Sequence, residues 1–171
     1  MKRPITNNPS RRAMTLVETL ASIVVLSIIG ATTLPLLFVA GDSLADATQT
    51  RRSAEHAAFA MDRTIRLLRE SPEGATRGTL AISTASPAGV RFTDGRGIEL
   101  TGTTLYLYDT SGTRAALCED VRSFTLGYLA KDGTTSTQAT PASTHRFDIR
   151  LDVGGMQLNA AAFARVRIGQ P

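Results

Sequence analysis

The sequence has few of the side chains from which covalent cross-links and metal sites are built. Cys118 is its only cysteine, so no intramolecular disulfide is possible. We expect Cys118 to be a small buried residue of a strand rather than a reactive thiol. His56 and His145 are the only histidines, and no cluster of other ligands accompanies either at metal-ligand spacing. The sequence therefore predicts neither a metal nor a cofactor.

Charged residues are sparse as well, at 20% of the 171 residues, and the net charge of +4 is unevenly placed. Lys2, Arg3, Arg11 and Arg12 account for all of it, because the rest of the chain has 15 basic and 15 acidic side chains. The positive charge is a local property of the amino terminus, and no nucleic-acid partner is expected. With 42% hydrophobic residues, the chain has enough apolar side chains for one folded domain.

No constellation of residues typical of an active site is present. Gly95 and Gly97 precede no helix and so do not form a phosphate-binding loop. The turns at 93–97 and 131–133 are too short and too basic for a calcium loop. The acids in this part of the chain occupy turns or alternating strand positions: Asp94, Asp109, Asp132, Asp148 and Asp152. The sequence does not predict an enzyme.

One long uncharged run does stand out, the 21 residues from Leu20 to Ala40. As a helix it would extend about 31 Å, which matches a hydrocarbon core of ~30 Å. Lysine and arginine stay on the cytoplasmic side of a membrane. The basic leader therefore predicts a single span, with the chain after about residue 41 outside the cytoplasm.

Three kinds of amino-terminal segment contain such a run. An ordinary secretory signal would be cleaved after it, at Ala45-Asp46-Ala47, but the apolar stretch of such a signal is usually ~7–15 residues. A plain uncleaved anchor would keep Met1. Neither accounts for Glu18, an acid at the head of the apolar run.

The third kind is indicated by Ala13-Met14-Thr15-Leu16-Val17-Glu18. This stretch resembles the class III signal of type IV pilins and type II secretion pseudopilins: a small residue, usually glycine, then Phe or Met, Thr, Leu, an aliphatic residue and Glu. The resemblance implies that a prepilin peptidase/methyltransferase cuts between Ala13 and Met14 and that Met14 becomes the N-methylated first residue. Ala13 stands where most members have glycine.

Pro35 is a second point of resemblance. It lies at the 22nd position after the implied cut, where many members have a helix-bending proline. A proline inside a helix removes a hydrogen bond and clashes with the preceding turn. The resemblance therefore implies a membrane helix bent at Pro35.

The resemblance also implies a role for Glu18. In the family this acid is thought to meet the α-amino group of a mature amino terminus, on its own or a neighbouring subunit, and so to fix axial register in a filament. A buried carboxylate costs several kcal/mol unless it is paired. A simpler role is that of an acid near a helix start, which contributes ~0.3–1 kcal/mol. The two roles are compatible.

Downstream, the pattern predicts an α+β fold that begins with one helix from about residue 14 to 70. Its transmembrane and assembly half covers 14–41 and its soluble amphipathic half 42–71, with Gly41 and Asp42 placed to loosen or re-cap it. Ser71-Pro72 and Gly74 end it. An apolar stripe at helical spacing should lie on a sheet: Ala54, Ala57, Ala58, Met61, Ile65 and Leu68.

Residues 72–171 are expected to form a periplasmic antiparallel β domain, with strands at 78–83, 89–93, 97–100, 104–109, 121–133, 145–153 and 156–168. Between 146 and 153 apolar residues alternate with Arg and Asp, as in a half-buried strand, and Gly154-Gly155 favours a hairpin turn. The polar stretch 132–144 is expected to be mobile.

Val121, Phe124, Tyr128 and the turn Asp132-Gly133 are similar to a strand and turn of the J-type minor pseudopilins. The resemblance implies a pilin-like fold and a minor subunit of a type II secretion pseudopilus in the bacterial inner membrane. Its partners would be other pseudopilins in a helical filament and the inner-membrane assembly platform. A minor pilin of a type IV pilus or competence system is the first alternative, and a secreted or singly anchored binding domain is the second.

Overall fold

The computed structural model describes residues 15–167, apart from the side chains of Leu34 and Arg167. The leader 1–13 and the predicted cleavage site at Ala13 and Met14 lie outside the described residues. The chain is α+β, with one long helix followed by eight strands in two antiparallel sheets. It divides into two units, the first ending at Ala47 and the second beginning at Thr48.

Helix α1 (Leu16–Arg69) has 54 residues and confirms the prediction of one helix from about 14 to 70. Pro35 lies inside it. The helix also continues through 41–43, so Gly41 and Asp42 neither end nor re-cap it. A single glycine weakens a helix interior by only ~1 kcal/mol, which the turns on either side outweigh.

The first sheet is a meander of five strands: β1 (Ile82–Ser86), β2 (Gly89–Phe92), β3 (Gly97–Thr101), β4 (Thr104–Tyr108) and β5 (Arg114–Cys118). The second sheet has three strands in the order β6 (Val121–Leu129), β7 (Arg146–Val153) and β8 (Met156–Phe163). We had expected one sheet. The chain leaves the first sheet at Asp120, which has a positive φ of 56° and starts a new direction before β6.

The strands differ most from the prediction at two places. The segment 78–83 is not a strand until Ile82, because Gly78 turns with φ 76° and Leu80 donates its N–H to the carbonyl of Ala142. Strand β5 was missed, since its alanine-rich sequence lacks alternation and only Cys118 in it is buried. Burial of Cys118 in a strand is confirmed.

The hairpin of β7 and β8 is confirmed. Along β7 the apolar residues from Phe147 to Val153 are at most 2% exposed, while Arg150 on the opposite face is exposed. Val153 pairs with Met156 across Gly154-Gly155, whose φ angles of 60° and 91° are those of a tight two-residue turn. Strand β8 ends at Phe163, earlier than predicted, and a 3-10 helix follows at Arg165–Arg167.

Between 48 and 69, α1 turns a face towards the core that differs from the predicted stripe. Of the predicted residues, Ala57, Met61 and Leu68 are buried, but Ala58 is exposed. The residues that replace it on the buried face are Ala60, Thr64 and Leu67. Thr64 is tolerated there because its hydroxyl donates to the carbonyl of Ala60 at 2.7 Å.

The polar stretch 132–144 makes hydrogen bonds within the domain, a feature that the expectation of a mobile loop does not include. Thr137 and Thr144 are buried with their hydroxyl oxygens 2.8 Å apart. The backbone N–H of Thr137 donates to the backbone carbonyl of Tyr128 at 2.9 Å. Polar composition alone suggested a mobile loop, but here the threonine hydroxyls satisfy one another inside the domain.

Candidate functional site in the N-terminal helix

Helix α1 begins with a capping arrangement built around Thr15 and Glu18. The backbone N–H of Glu18 donates to the carbonyl of Thr15 at 3.0 Å and makes a longer contact of 3.4 Å with the Thr15 hydroxyl. Thr and Glu three residues apart at a helix start form the sequence pattern of a capping box. The Thr15–Glu18 spacing is visible in the sequence and indicates this cap, which the charge of Glu18 alone does not. Glu18 is therefore also a helix-start residue.

The surface that follows is apolar and exposed. The large hydrophobic side chains described between Leu16 and Leu44, a range in which that of Leu34 is not described, are each at least half exposed, and Leu16 itself reaches 81%. No residue of the most apolar 18-residue stretch of α1 is buried. A contiguous exposed apolar surface of this size is found where a protein meets a membrane or a partner. By length and composition, this is the one helix among the described residues able to cross a membrane.

The hydroxyl groups inside the apolar run have partners within the helix. Ser22, Ser27 and Thr33 donate to carbonyls four residues earlier at 2.7–2.8 Å. Thr19 and Thr32 donate to the preceding turn in the same way. In lipid an unsatisfied polar group costs several kcal/mol, so this internal pairing makes the segment compatible with a hydrocarbon environment.

The predicted site residues do not converge on one place. Glu18 lies in the first turn of α1, and Pro35 is 17 residues further along, about 25 Å at 1.5 Å per residue. Pro35 has no N–H, so the carbonyl of Ala31 receives no intrahelical bond from it. These positions suit a linear surface along a helix rather than a pocket for chemistry.

The candidate ligands elsewhere stay apart. His56 is exposed on α1, and within residues 15–167 no group of three or more His, Cys, Asp or Glu is placed to hold a metal ion. Burial raises the pKa of the Cys118 thiol, and the charges of Asp120 and Glu119 act in the same direction. A thiol of this kind is a poor nucleophile at neutral pH.

The residues that resemble a J-type strand have structural roles. Val121, Phe124 and Tyr128 all lie on the buried face of β6. The hydroxyl of Tyr128 donates to the carbonyl of Gly89 at 2.6 Å, which ties the second sheet to the first. The ring also meets Phe147 edge to face at a centroid distance of 5.6 Å.

The Asp132-Gly133 turn is held by its own aspartate. The carboxylate of Asp132 accepts the backbone N–H groups of Thr134 and Thr135, each at 2.9 Å, and Gly133 takes a positive φ of 72°. The hydroxyl and N–H of Thr135, with the N–H of Thr134, lower the pKa of Asp132. This turn therefore ends β6 by local hydrogen bonding.

Comparison with known proteins does not assign the chain to a family. No model of a known protein family matches the chain, and no curated protein matches it.

Proposed function

We propose that this chain is a minor pseudopilin, a structural and assembly subunit of a type II secretion pseudopilus. The observation that carries the proposal is the class III-like signal at 13–18, placed at the start of an exposed apolar helix that continues unbroken into the folded unit. Cleavage before that helix would keep the apolar segment in the mature protein. The J-type strand around Tyr128 favours secretion over a type IV pilus or competence system.

The same geometry argues against an ordinary secretory signal. The small-residue site Ala45-Asp46-Ala47 lies in the middle of α1, where the backbone is hydrogen-bonded. Proteolytic sites concentrate in exposed, irregular chain rather than in helices. Cleavage before α1 needs no unwinding of this helix.

The proposed mechanism uses one surface in two environments. In the inner membrane, the uncharged run up to Ala40 lies in lipid, and Glu18 near its cytoplasmic end can reach water. In the pseudopilus, the same apolar side chains pack against those of neighbouring subunits. The carboxylate of Glu18 then requires a partner, since an unpaired buried charge costs several kcal/mol.

Cleavage supplies that partner. A chain that starts at Met14 has an α-amino group only four residues before Glu18 in the sequence. The amine is therefore within reach of Glu18 of the same subunit or of an adjacent one. Such a pair would favour one axial register among neighbours, as expected of a subunit added by the assembly platform.

Mass spectrometry and amino-terminal sequencing of the mature chain, isolated from membranes of cells with a prepilin peptidase, test the proposal. The expected first residue is N-methyl-Met14. A start at Thr48 would indicate an ordinary signal peptide and an intact Met1 a plain anchor, and either would refute the proposal. Ala13→Gly, which restores the usual residue of the family, should be cleaved at the same bond, whereas Ala13→Asp should remain unprocessed.

A further inference from the structure

The second unit contains a cavity of about 330 Å³ between the last turns of α1 and the β4–β5 hairpin. Four arginines surround it: Arg63 and Arg66 from α1, Arg96 from the turn before β3, and Arg114 from the start of β5. Two acids, Glu70 and Asp109, share the lining, so the charge of this arginine cavity is +2.

Two of the four arginines have no carboxylate partner in the part of the chain that the structure describes. Arg96 bonds Asp94 at 2.7 Å and the carbonyl of Glu70 at 3.0 Å. Arg66 lies 3.5 Å from Asp62. Arg63 and Arg114 form no ion pair among residues 15–167, although the guanidinium of Arg114 lies 4.7 Å from the Tyr106 ring centroid.

Neither acid of the cavity forms an ion pair with Arg63 or Arg114 within residues 15–167. An Oδ1 oxygen of Asp109 already accepts the backbone N–H of Ser111 at 2.8 Å and of Thr113 at 2.9 Å. That carboxylate is therefore held by its own turn. Arg63 and Arg114 are left with donors available for an external anion, and an arginine fork fits a carboxylate well.

The floor of the cavity is apolar. Leu67 and Tyr108 are only 8% and 7% exposed, and Leu107 beside them is half-buried. A small inorganic anion would use the arginines and leave this floor uncovered. A peptide that places an apolar side chain next to a carboxylate would use both.

We infer that the arginine cavity binds an acidic segment of a protein partner, with one carboxylate on Arg63 and Arg114 and a neighbouring apolar side chain on the floor. The inference does not rest on the pseudopilin proposal, because every residue involved lies in the unit that begins at Thr48. Its chemistry resembles a charge-assisted anchor, in which electrostatics orient the partner and the apolar contact retains it.

Fluorescence anisotropy with the full chain in phosphatidylcholine nanodiscs tests this inference. The probes are labelled pentapeptides of the form acetyl-Glu-Asp-X-Asp-Glu-amide, with Phe, Leu, Ile or Tyr at X. We expect at least one to bind saturably, with affinity that falls as NaCl is raised from ~50 to ~500 mM. Peptides with Gln and Asn in place of the acids, or Ala at X, should bind at least threefold more weakly.

Matched pairs of variants locate the binding. Arg63→Glu with Arg114→Glu should weaken it at least tenfold. The control is Arg69→Glu with Arg122→Glu, which makes the same charge change on α1 and on a strand at residues that do not line the cavity. This control should change the peptide affinity less than twofold. Melting curves identify any variant that fails to fold. In that case Arg63→Gln with Arg114→Gln replaces the reversal, and at least threefold weakening is expected.

Several outcomes would overturn the inference. They are no binding by any of the four peptides, equal losses in the two pairs of variants, or full displacement of the peptide by equimolar inorganic phosphate. Preference for phosphatidylglycerol vesicles over the peptides would make the site a lipid site. If no peptide binds, but the chain self-associates and Glu119→Gln with Asp120→Asn abolishes that association, the arginine cavity would be a contact between copies of this chain.

Discussion

At the scale of a single residue, Glu18 combines a helix-start role with the proposed role in assembly, and two substitutions separate them. Glu18→Gln keeps a residue suited to a capping box but removes the charge. Thr15→Ala keeps the charge but removes the cap, at about 1 kcal/mol of helix stability. We expect Glu18→Gln to be inserted and cleaved normally but to enter pseudopili at least tenfold less, by quantitative immunoblot of sheared filaments.

Thr15→Ala should enter at close to wild-type levels. The more drastic Glu18→Val is expected to behave as Glu18→Gln does, since both lack the carboxylate. Wild-type incorporation of Glu18→Gln would show that Glu18 serves the helix start alone.

Tyr128 gives a second prediction at the residue scale, on stability and pH. Burial raises the pKa of Tyr128 above 10, so the folded domain keeps the phenol neutral where an unfolded tyrosine ionises. The contribution of Tyr128 to stability is then complete below pH ~10 and is lost as pH rises from there through the folded-state pKa. We expect the wild type to lose stability above pH ~10 more steeply than Tyr128→Phe, in denaturant titrations followed by circular dichroism.

At neutral pH, Tyr128→Phe should itself lower the free energy of unfolding by about 1 kcal/mol, because the bond to the Gly89 carbonyl is lost. Tyr106→Phe is the matched control, since the half-buried Tyr106 hydroxyl makes no hydrogen bond within the described chain, and it should change stability by less than ~0.5 kcal/mol. Equal effects of the two substitutions would contradict the importance of the Tyr128 bond.

At the scale of elements, the sequence predicts the helices and strands whose apolar residues recur at a regular spacing. Strand β7 alternates strictly, and Gly154-Gly155 can adopt positive φ without strain, so that hairpin follows from local rules. The bounds of α1 were predictable from its apolar run and from Ser71-Pro72.

The features that were not predicted leave no regular pattern in the sequence. Strand β5 pairs with β4 through backbone hydrogen bonds, and four of its five side chains are not buried, so its sequence shows no alternating pattern of burial. Thr64 can lie on the buried face because its hydroxyl bonds to a carbonyl of the same helix, and a face predicted from apolar residues alone does not include it. The cavity arginines are separated by up to 51 positions and meet only through the fold.

Two alanines of α1 test which face of the helix meets the core. Ala60 is 0% exposed, whereas Ala58, two residues earlier, is exposed. Ala60→Leu should destabilise the domain by about 1–3 kcal/mol, because extra methylene groups in a filled core force side chains off their rotamers. Ala58→Leu should change the unfolding free energy by less than ~0.5 kcal/mol. A larger loss of stability in Ala58→Leu than in Ala60→Leu would support the buried face predicted from the sequence instead.

At the scale of the whole molecule, the residues that stabilise the fold and those to which we assign the proposed function lie in different segments of the chain. Every buried residue of the described chain lies at or after Ala57, while the large exposed apolar side chains are concentrated before Leu44. A folded protein seldom leaves so much apolar surface uncovered without a membrane or partner to cover it. We therefore expect the second unit to fold without the first, which leaves the sequence of the first available for the membrane and filament roles proposed above.

A truncation and a chimera test that division. A chain of residues 48–171 should be soluble and unfold cooperatively, with a melting temperature within a few degrees of that of the same domain in the full protein, because the core is complete within it. A chimera with a Leu-Ala membrane helix in place of 14–47 should fold and stay in the membrane, yet fail to enter pseudopili. Since the chimera has the span but lacks Glu18 and Pro35, its incorporation at wild-type levels would mean that any apolar helix suffices. Assembly would then have to be specified by the β domain.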